Sequence, residues 1–332
     1  MLRKGLLELR CPFRRKISTS TTTNIAANSD RSAITGKALE SDDPLSIYIH
    51  WPYCEFKCHF CNFNKYLNPP LSSPSNEDQL AKSLLTELQT LLRWFPTKRR
   101  VTSVYFGGGT PSLASPHTVG LVLDAISKWC NLEPDAEISL ESNPTTAEID
   151  KMQGFREAGI NRYSLGVQTL DDEVLTRMGR RHTGKEGLEA ILRARKLFER
   201  GVTFDMMFGF QDQTAEQWRM QLEVGRNHVS IYQLSLEYGT PLYRDYKAGR
   251  YRVPDEDAQA DMYDAALEVT ASHGLHHYEV SSYASSPDSE SWHNMSYWFG
   301  QDFIGIGPGA HGRFTIREPN RWIEQCKKLG HG

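Results

Sequence analysis

From Pro44 onward, short runs rich in β-branched and aromatic residues alternate with longer stretches whose apolar positions recur every three or four residues. LSIYIH (45–50), VTSVYFGG (101–108), EISLESN (137–143), RYSLGVQ (162–168), TFDMMFGF (203–210) and HVSIYQLSL (228–236) read as strands. EDQLAKSLLTELQTLLRWF and GKEGLEAILRARKLFERG, lying between them, read as amphipathic helices. Such alternation predicts an α/β fold with a parallel sheet covered on both sides. Six units suit a partial (β/α) barrel or an open doubly wound sheet. Each predicted strand ends in polar or glycine-rich residues: His50, Gly107–Thr110, Glu141–Asn143, Gln168, Asp205 and Glu237. Loops at the C-terminal strand ends converge on one face, so the chemistry is expected there.

After Pro254 the pattern changes. DAQADMYDAALEVTASHGL reads as a helix, SYASSPDSES as a loop, and WHNMSYWFGQDFIGIGPGAHGRF as a stretch rich in glycine and aromatics before a last helix in NRWIEQCKKLGHG. The first 40 residues differ again, with six basic residues before any acid except Glu8, then a Ser/Thr run. Basic, hydroxyl-rich and acid-poor is the composition of a mitochondrial transit peptide. The expected organisation is a leader over 1–40, an α/β core over 41–250 and an extension over 251–332.

Composition narrows the function. A 332-residue chain with formal charge −3 is not built to hold a polyanion by electrostatics, so no nucleic-acid partner is expected. The basic run KRR at 98–100 reads as a solvated helix end. No apolar run approaches the roughly 20 residues needed to span a bilayer, so no transmembrane segment is expected.

Six cysteines in a chain this long do not make a disulfide scaffold. Cys11, Cys130 and Cys326 are scattered and read as small buried or idle groups. Cys54, Cys58 and Cys61 instead lie within eight residues, in YIHWPYCEFKCHFCNFNKY. Clustered thiolates bind soft metals or clusters. Structural zinc needs four ligands, which here requires His50 or His59 to complete the set. A cubane cluster takes four cysteines as a rule, so three leave one iron open.

CxxxCxxC after the first strand and GGGTP after the second resemble the radical S-adenosylmethionine (SAM) superfamily. The resemblance implies a partial (β/α)6 barrel, a [4Fe–4S] cluster on the three cysteines, and SAM on the open iron. It carries cofactor contacts to Tyr48, Phe60, Asn62, Gly108, Gly109, Thr110, Glu141, Gln168, Arg180 and Asp205. Glu141 matches in ESNP, Gln168 in SLGVQ, Arg180 in RMGRRH and Asp205 in FDMMFG. Each has a role its chemistry allows. The glycines let backbone approach the methionine moiety, Glu141 accepts from its ammonium, Arg180 pairs with its carboxylate, and Gln168 and Asp205 hold ribose hydroxyls. Two further matches are coincidences. GRRHTGKE places Glu186 where a phosphate loop needs Ser or Thr, and GPGAHG leaves too little chain for a βαβ unit.

YIHWPYC, ESNP, SLGVQ, RMGRRHT and GPGAHG together are similar to the oxygen-independent coproporphyrinogen III oxidase group, over residues 44 to about 313. True oxidases of that group carry a further cysteine two residues after the third ligand, where this chain has Phe63. The chain instead resembles the group's HemW-type haem chaperones, whose HNxxYW signature appears at 293–298. That resemblance implies haem binding through His293 and Tyr297, with His293 the first axial candidate, and transfer of haem to acceptor proteins; Cys326, His276, His277 and His311 are the other side chains able to serve as axial donors. It also implies no coproporphyrinogen oxidation. Two departures stand out. Gly209–Phe210–Gln211 replaces the usual GLP or GIP, and the group's small C-terminal helical domain is expected to be missing.

Overall fold

The computed structural model describes residues 43–332 apart from 68–73, 96, 199, 226 and 312–315. The leader predicted over 1–40 lies outside the described residues. Eleven strands are described: β1 (Leu45–Trp51), β2 (Tyr53–Cys54), β3 (Tyr66–Leu67), β4 (Arg100–Gly108), β5 (Asn131–Ser142), β6 (Arg162–Gln168), β7 (Val202–Phe208), β8 (His228–Gln233), β9 (His276–His277), β10 (Ser282–Ala284) and β11 (Asp302–Ile306). The helices that matter for the site are α1 (Pro74–Leu92), α2 (Pro116–Trp129), α3 (Thr146–Ile149), α4 (Met152–Glu157), α5 (Asp172–Arg177), α6 (Gly184–Arg195), α7 (Ala215–Leu222), α8 (Pro241–Lys247), α9 (Glu256–Ser272), α10 (Trp292–Trp298) and α11 (Pro319–Leu329).

Nine strands form one sheet in the order β11-β1-β4-β5-β6-β7-β8-β10-β9. From β11 to β8 every pairing is parallel, while β10 pairs antiparallel with both β8 and β9. The six predicted strands are the six consecutive members β1 and β4–β8, and helical crossovers keep their order in space the same as in sequence. The fold is α/β with a parallel-stranded sheet. The sheet ends at β11 on one side and β9 on the other.

The region after residue 250, expected as an extension, supplies strands at both ends of this sheet. β11 pairs with β1 over Leu45–Ile49, and β10 with β8. The sequence reading had no strand at 302–306, because three of its five residues are Gly305 and two half-exposed or exposed aromatic and acidic positions rather than a buried apolar run.

The two faces of the sheet differ in chemistry. Ile47, Val104, Phe106, Ile138, Leu140, Leu165, Val167, Phe204, Met206, Val229 and Ile231 belong to the apolar core, packed with helix residues such as Leu84, Val122, Ile191 and Trp218. The alternating positions carry Ser46, Ser103, Tyr105, Glu137, Ser139, Glu141, Arg162, Ser164, Thr203, Asp205, Ser230 and Tyr232. Strand side chains alternate with period two, so all of these point to the other face. Polar groups are hydrogen-bonded when buried or they line a cavity, because burying them unpartnered costs about 1–3 kcal/mol each. Here they do both.

Candidate functional site

The cysteine loop leaves β1 at Trp51 and is held at three points. β2 and β3 clip its ends together, Tyr66 N–H donating to the Pro52 carbonyl at 2.7 Å. The turn that leaves β4 docks beneath it: Gly109 N–H donates to Trp51 O at 2.6 Å and Thr110 N–H to Tyr53 O at 2.8 Å. On the far side His59 N–H donates to Met178 O at 2.9 Å, just past α5.

The sequence reading gave the glycines to an approaching ligand. The structure gives them first to the protein itself. A Cβ on Gly109 would stand 2.5 Å from Tyr53 O, and one on Gly108 would stand 2.6 Å from the His50 ring, with φ of +104° besides. The loop can lie this close to β4 only because side chains are missing there.

Cys54 and Cys58 are buried and Cys61 is half-buried; all are free thiols. Thr110 Oγ1 donates to Cys54 Sγ at 3.3 Å, and Arg180 Nη1 to Cys58 Sγ at 3.3 Å. Burial pushes the Cys54 thiol up to about 11, against the Thr110 hydrogen bond. Among the described residues no three His, Cys, Asp or Glu side chains are gathered as tightly as one metal ion requires. A cubane attaches each thiolate to a different iron, so its ligands stand further apart than those of a single zinc. Hydrogen-bond donors at two sulfurs also suit a cluster.

All three thiols line one lobe, of about 140 Å³, with Gly108, Gly109, Thr110, Glu141, Gln168, Arg180, Asp205 and Phe60. A second cavity of about 530 Å³ continues from it, sharing Cys61, Glu141, Ser164, Gln168 and Asp205, and is walled by the hydroxyl-bearing face of the sheet. Asn62, at its mouth, donates to Glu237 at 2.8 Å.

Glu141 accepts from Tyr105 Oη at 2.8 Å and from Gly108 N–H at 3.2 Å, and burial raises its pKa against both bonds. Burial pushes Asp205 up to about 7, the Glu141 charge adds to that, and Arg180 opposes it. The pair is therefore suited to a ligand that brings positive charge or hydrogen-bond donors. Gln168 has φ of +72° at a break in the β6–β7 register. This left-handed backbone is uncommon outside glycine and turns the residue into the lobe. Arg180 differs from expectation in one respect, since its second guanidinium arm already donates to the Gly166 carbonyl.

Tyr48 does not line the cysteine lobe. It lines an outer cavity of about 810 Å³ with His50, Phe63, Phe303, His311, Arg317 and Tyr297, which meets the lobe at Gly108 and Glu141. Its hydroxyl lies 3.2 Å from His50 Nδ1, and burial raises its pKa.

His293, expected as the first axial candidate, is buried inside the fold. Nδ1 lies 2.9 Å from Ser103 Oγ and Nε2 3.1 Å from Tyr297 Oη, while the ring stacks on Tyr105 at 4.7 Å. Burial pushes its pKa down to about 3. With both nitrogens engaged, it is not an open ligand in this arrangement. The aromatics of this segment face outward, while Ser296 is buried beside His293: Trp292, Tyr297, Trp298 and Phe299 are all at least 40% exposed. Of the alternatives, Cys326 is buried, His276 lies 2.8 Å from Glu290, His277 lies 3.0 Å from the Val280 carbonyl, and His311 is exposed at the outer cavity.

Sequence reasoning missed Glu137. Its carboxylate is buried, lies 3.4 Å from Arg162 and accepts the N–H groups of Trp292 and His293 at 3.0 Å each. The available signal was the period of β5, which puts Glu137, Ser139 and Glu141 on one face. The departure at Gly209–Gln211 also has a structural answer. Gln211 N–H donates to Tyr251 Oη and its side chain accepts from Arg252 N–H, so the loop is fixed without proline.

The radical SAM superfamily profile matches residues 48–224. The mitochondrial radical S-adenosyl methionine domain-containing protein 1 of Danio rerio is 42% identical, over 86% of this chain and 67% of that protein. The haem chaperone HemW of Escherichia coli is 37% identical, over 87% of this chain and 74% of that protein. In fold, the solved structure of the coproporphyrinogen III oxidase HemN from Escherichia coli superposes with a TM-score of 0.74 at 20% identity, covering 90% of this chain and 72% of that one. The chain belongs to the radical SAM superfamily, among relatives that include radical S-adenosyl methionine domain-containing protein 1 and the HemW haem chaperones.

Proposed function

We propose that the chain holds a [4Fe–4S] cluster on Cys54, Cys58 and Cys61, binds SAM beside it, and carries haem for delivery to acceptor proteins in mitochondria. The observation that carries this reading is the meeting of three thiols with Glu141, Gln168, Arg180 and Asp205 in one lobe. When bound, the cluster supplies the electron for reductive cleavage of SAM. The chain's own residues do the rest. Thr110 and Arg180 stabilise sulfur charge by hydrogen bonds. Glu141 receives an ammonium, and once so paired its charge repels Asp205 less. Gln168 and Asp205 receive hydroxyls, and Phe60 closes an apolar wall. The haem part rests on the HemW relatives, named as haem chaperones, and on the outward aromatic face of α10. The mitochondrial part rests on relatives named as mitochondrial.

A coproporphyrinogen oxidase is the competing reading, and the inner cavity disfavours it. That substrate carries four carboxylates. The cavity presents Glu141, Asp205 and Glu237, and its cation, Arg162, is already taken by Glu137, Thr203 and the carbonyls of Ser289 and Glu290. Anaerobic reconstitution tests the proposal: haem binding, 5′-deoxyadenosine release and porphyrinogen consumption are measured on one sample. Haem binding without porphyrinogen loss is expected. Porphyrinogen loss without haem binding would reverse the ranking.

A further inference from the structure

The burial of His293 leaves open which atom of the motif meets haem iron. Ser103 Oγ donates its one proton to Ser46 Oγ at 2.9 Å. It therefore accepts from His293 Nδ1–H, which assigns the tautomer and leaves the Nε2 lone pair to accept from Tyr297 Oη. The histidine is clamped from the other side as well, its own N–H bonded to Glu137. Leaving the core to bind iron would break all of these contacts. Tyr297 has no such barrier. Its ring packs edge-on against Phe303 at 5.1 Å, 43% of it is exposed, and it lines the outer cavity. The cavity supplies what a haem requires: a donor atom, apolar walls from Phe63 and Phe303, and Arg317 as a cation for a propionate.

We infer that Tyr297 supplies the axial oxygen to a haem lodged in this outer cavity, and that His293 is a positioning residue holding the phenol from behind. The inference builds on the haem-carrying reading above and goes further, naming the donor and the cavity. On binding, the phenol passes its proton to His293 Nε2, so the O–H bond breaks as the N–H bond forms and the oxygen becomes free to take ferric iron. The Nε2–H formed in this way donates back to the phenolate oxygen from behind and keeps it aimed outward. The cavity meets the cysteine lobe at Gly108 and Glu141, so haem there would lie next to the SAM site.

Titration of ferric haem into the purified chain, followed by absorption and resonance Raman spectroscopy, tests this. Wild type should show phenolate-to-iron charge transfer and phenolate ring modes. Tyr297→Phe, which keeps the ring packing, should lose both signatures and weaken binding about tenfold or more. His293→Gln should keep the signatures with shifted positions, because the donor remains and its orientation changes. Unaltered spectra in Tyr297→Phe overturn the inference while leaving haem carriage standing, and collapse in His311→Ala would then name the exposed histidine instead. No haem uptake by wild type overturns both the inference and the reading beneath it.

Discussion

Glu137, deep inside the sheet, holds the first turn of α10 by accepting the N–H of His293 at 3.0 Å. The same carboxylate takes Trp292 N–H and the Ser291 hydroxyl and pairs with Arg162. One buried charge thus joins the inner cavity to the aromatic motif.

Removing it should leave Arg162 buried without its counter-charge and α10 without its anchor. Truncating one partner of a buried pair costs about 3–5 kcal/mol. Glu137→Ala should lower the melting temperature clearly, with the greatest gain in amide exchange at 292–298. Glu137→Gln, which keeps one acceptor oxygen, should lose less. Exchange in α10 that matches wild type in Glu137→Ala would show that the helix is held by its aromatic packing alone.

Cys54→Ala, Cys58→Ala and Cys61→Ala should each prevent retention of a full complement of iron and sulfide after anaerobic reconstitution. Cys130→Ala and Cys326→Ala should retain it, since neither lines the lobe. Wild-type iron and sulfide in all three loop variants would remove the cluster assignment.

Gly109→Ala should cost about 1–3 kcal/mol through overpacking, because the carbonyls it meets belong to backbone that cannot swing aside. It should also loosen the cysteine loop and lower cluster yield. Gly120 is the control: on α2, the nearest atom to its Cβ position lies at 3.9 Å. Gly120→Ala should be neutral or stabilise by up to about 1 kcal/mol. Equal stability of the two variants, judged by chemical denaturation, would contradict the close docking of β4 under the loop.

The ligand-free chain should lose stability as pH rises from about 4 to about 7. Asp205 has its pKa raised on folding, so over that window the native state binds more protons than the unfolded state, and stability falls with pH. Glu141, raised in the same direction, adds to the slope. Asp205→Asn should flatten the dependence, and SAM binding should oppose it. A melting temperature that rises across this window in wild type and matches Asp205→Asn throughout would show that Asp205 titrates normally.

No protoporphyrinogen should form when the reconstituted chain is given coproporphyrinogen III, SAM and a reductant. Phe63 stands where the oxidases carry a cysteine, and it is 64% exposed beside both cavities. Product detected by fluorescence after oxidation would restore the oxidase reading.

The six parallel strands were legible in the sequence, because a strand buried between two helical layers must be dense in Ile, Val, Leu and Phe, and a crossover must be a helix long; their order, left open between a partial barrel and a doubly wound sheet, was decided by the fold. The strand-end residues were legible for a related reason. A parallel sheet brings its C-terminal ends to one face, so Cys54, Glu141, Gln168 and Asp205 had to converge whatever the details of packing. The residues of the inner wall were harder to see. Arg162 and Glu137 look like ordinary charges at strand starts, and only the period of the pleat, together with the loop of Ser289–Ser291 folded over them, buries the pair. Tertiary structure also decided the aromatic motif. Seven residues of WHNMSYW can turn either face inward, and the pattern of aromatics favours a buried stripe. Ser103 and Glu137, 190 and 156 residues away in sequence, bond His293 and turn the helix the other way. Hydrogen bonds between partners so distant have no local signature, which is why sequence alone identified the motif's presence and the fold selected which of its side chains meets solvent.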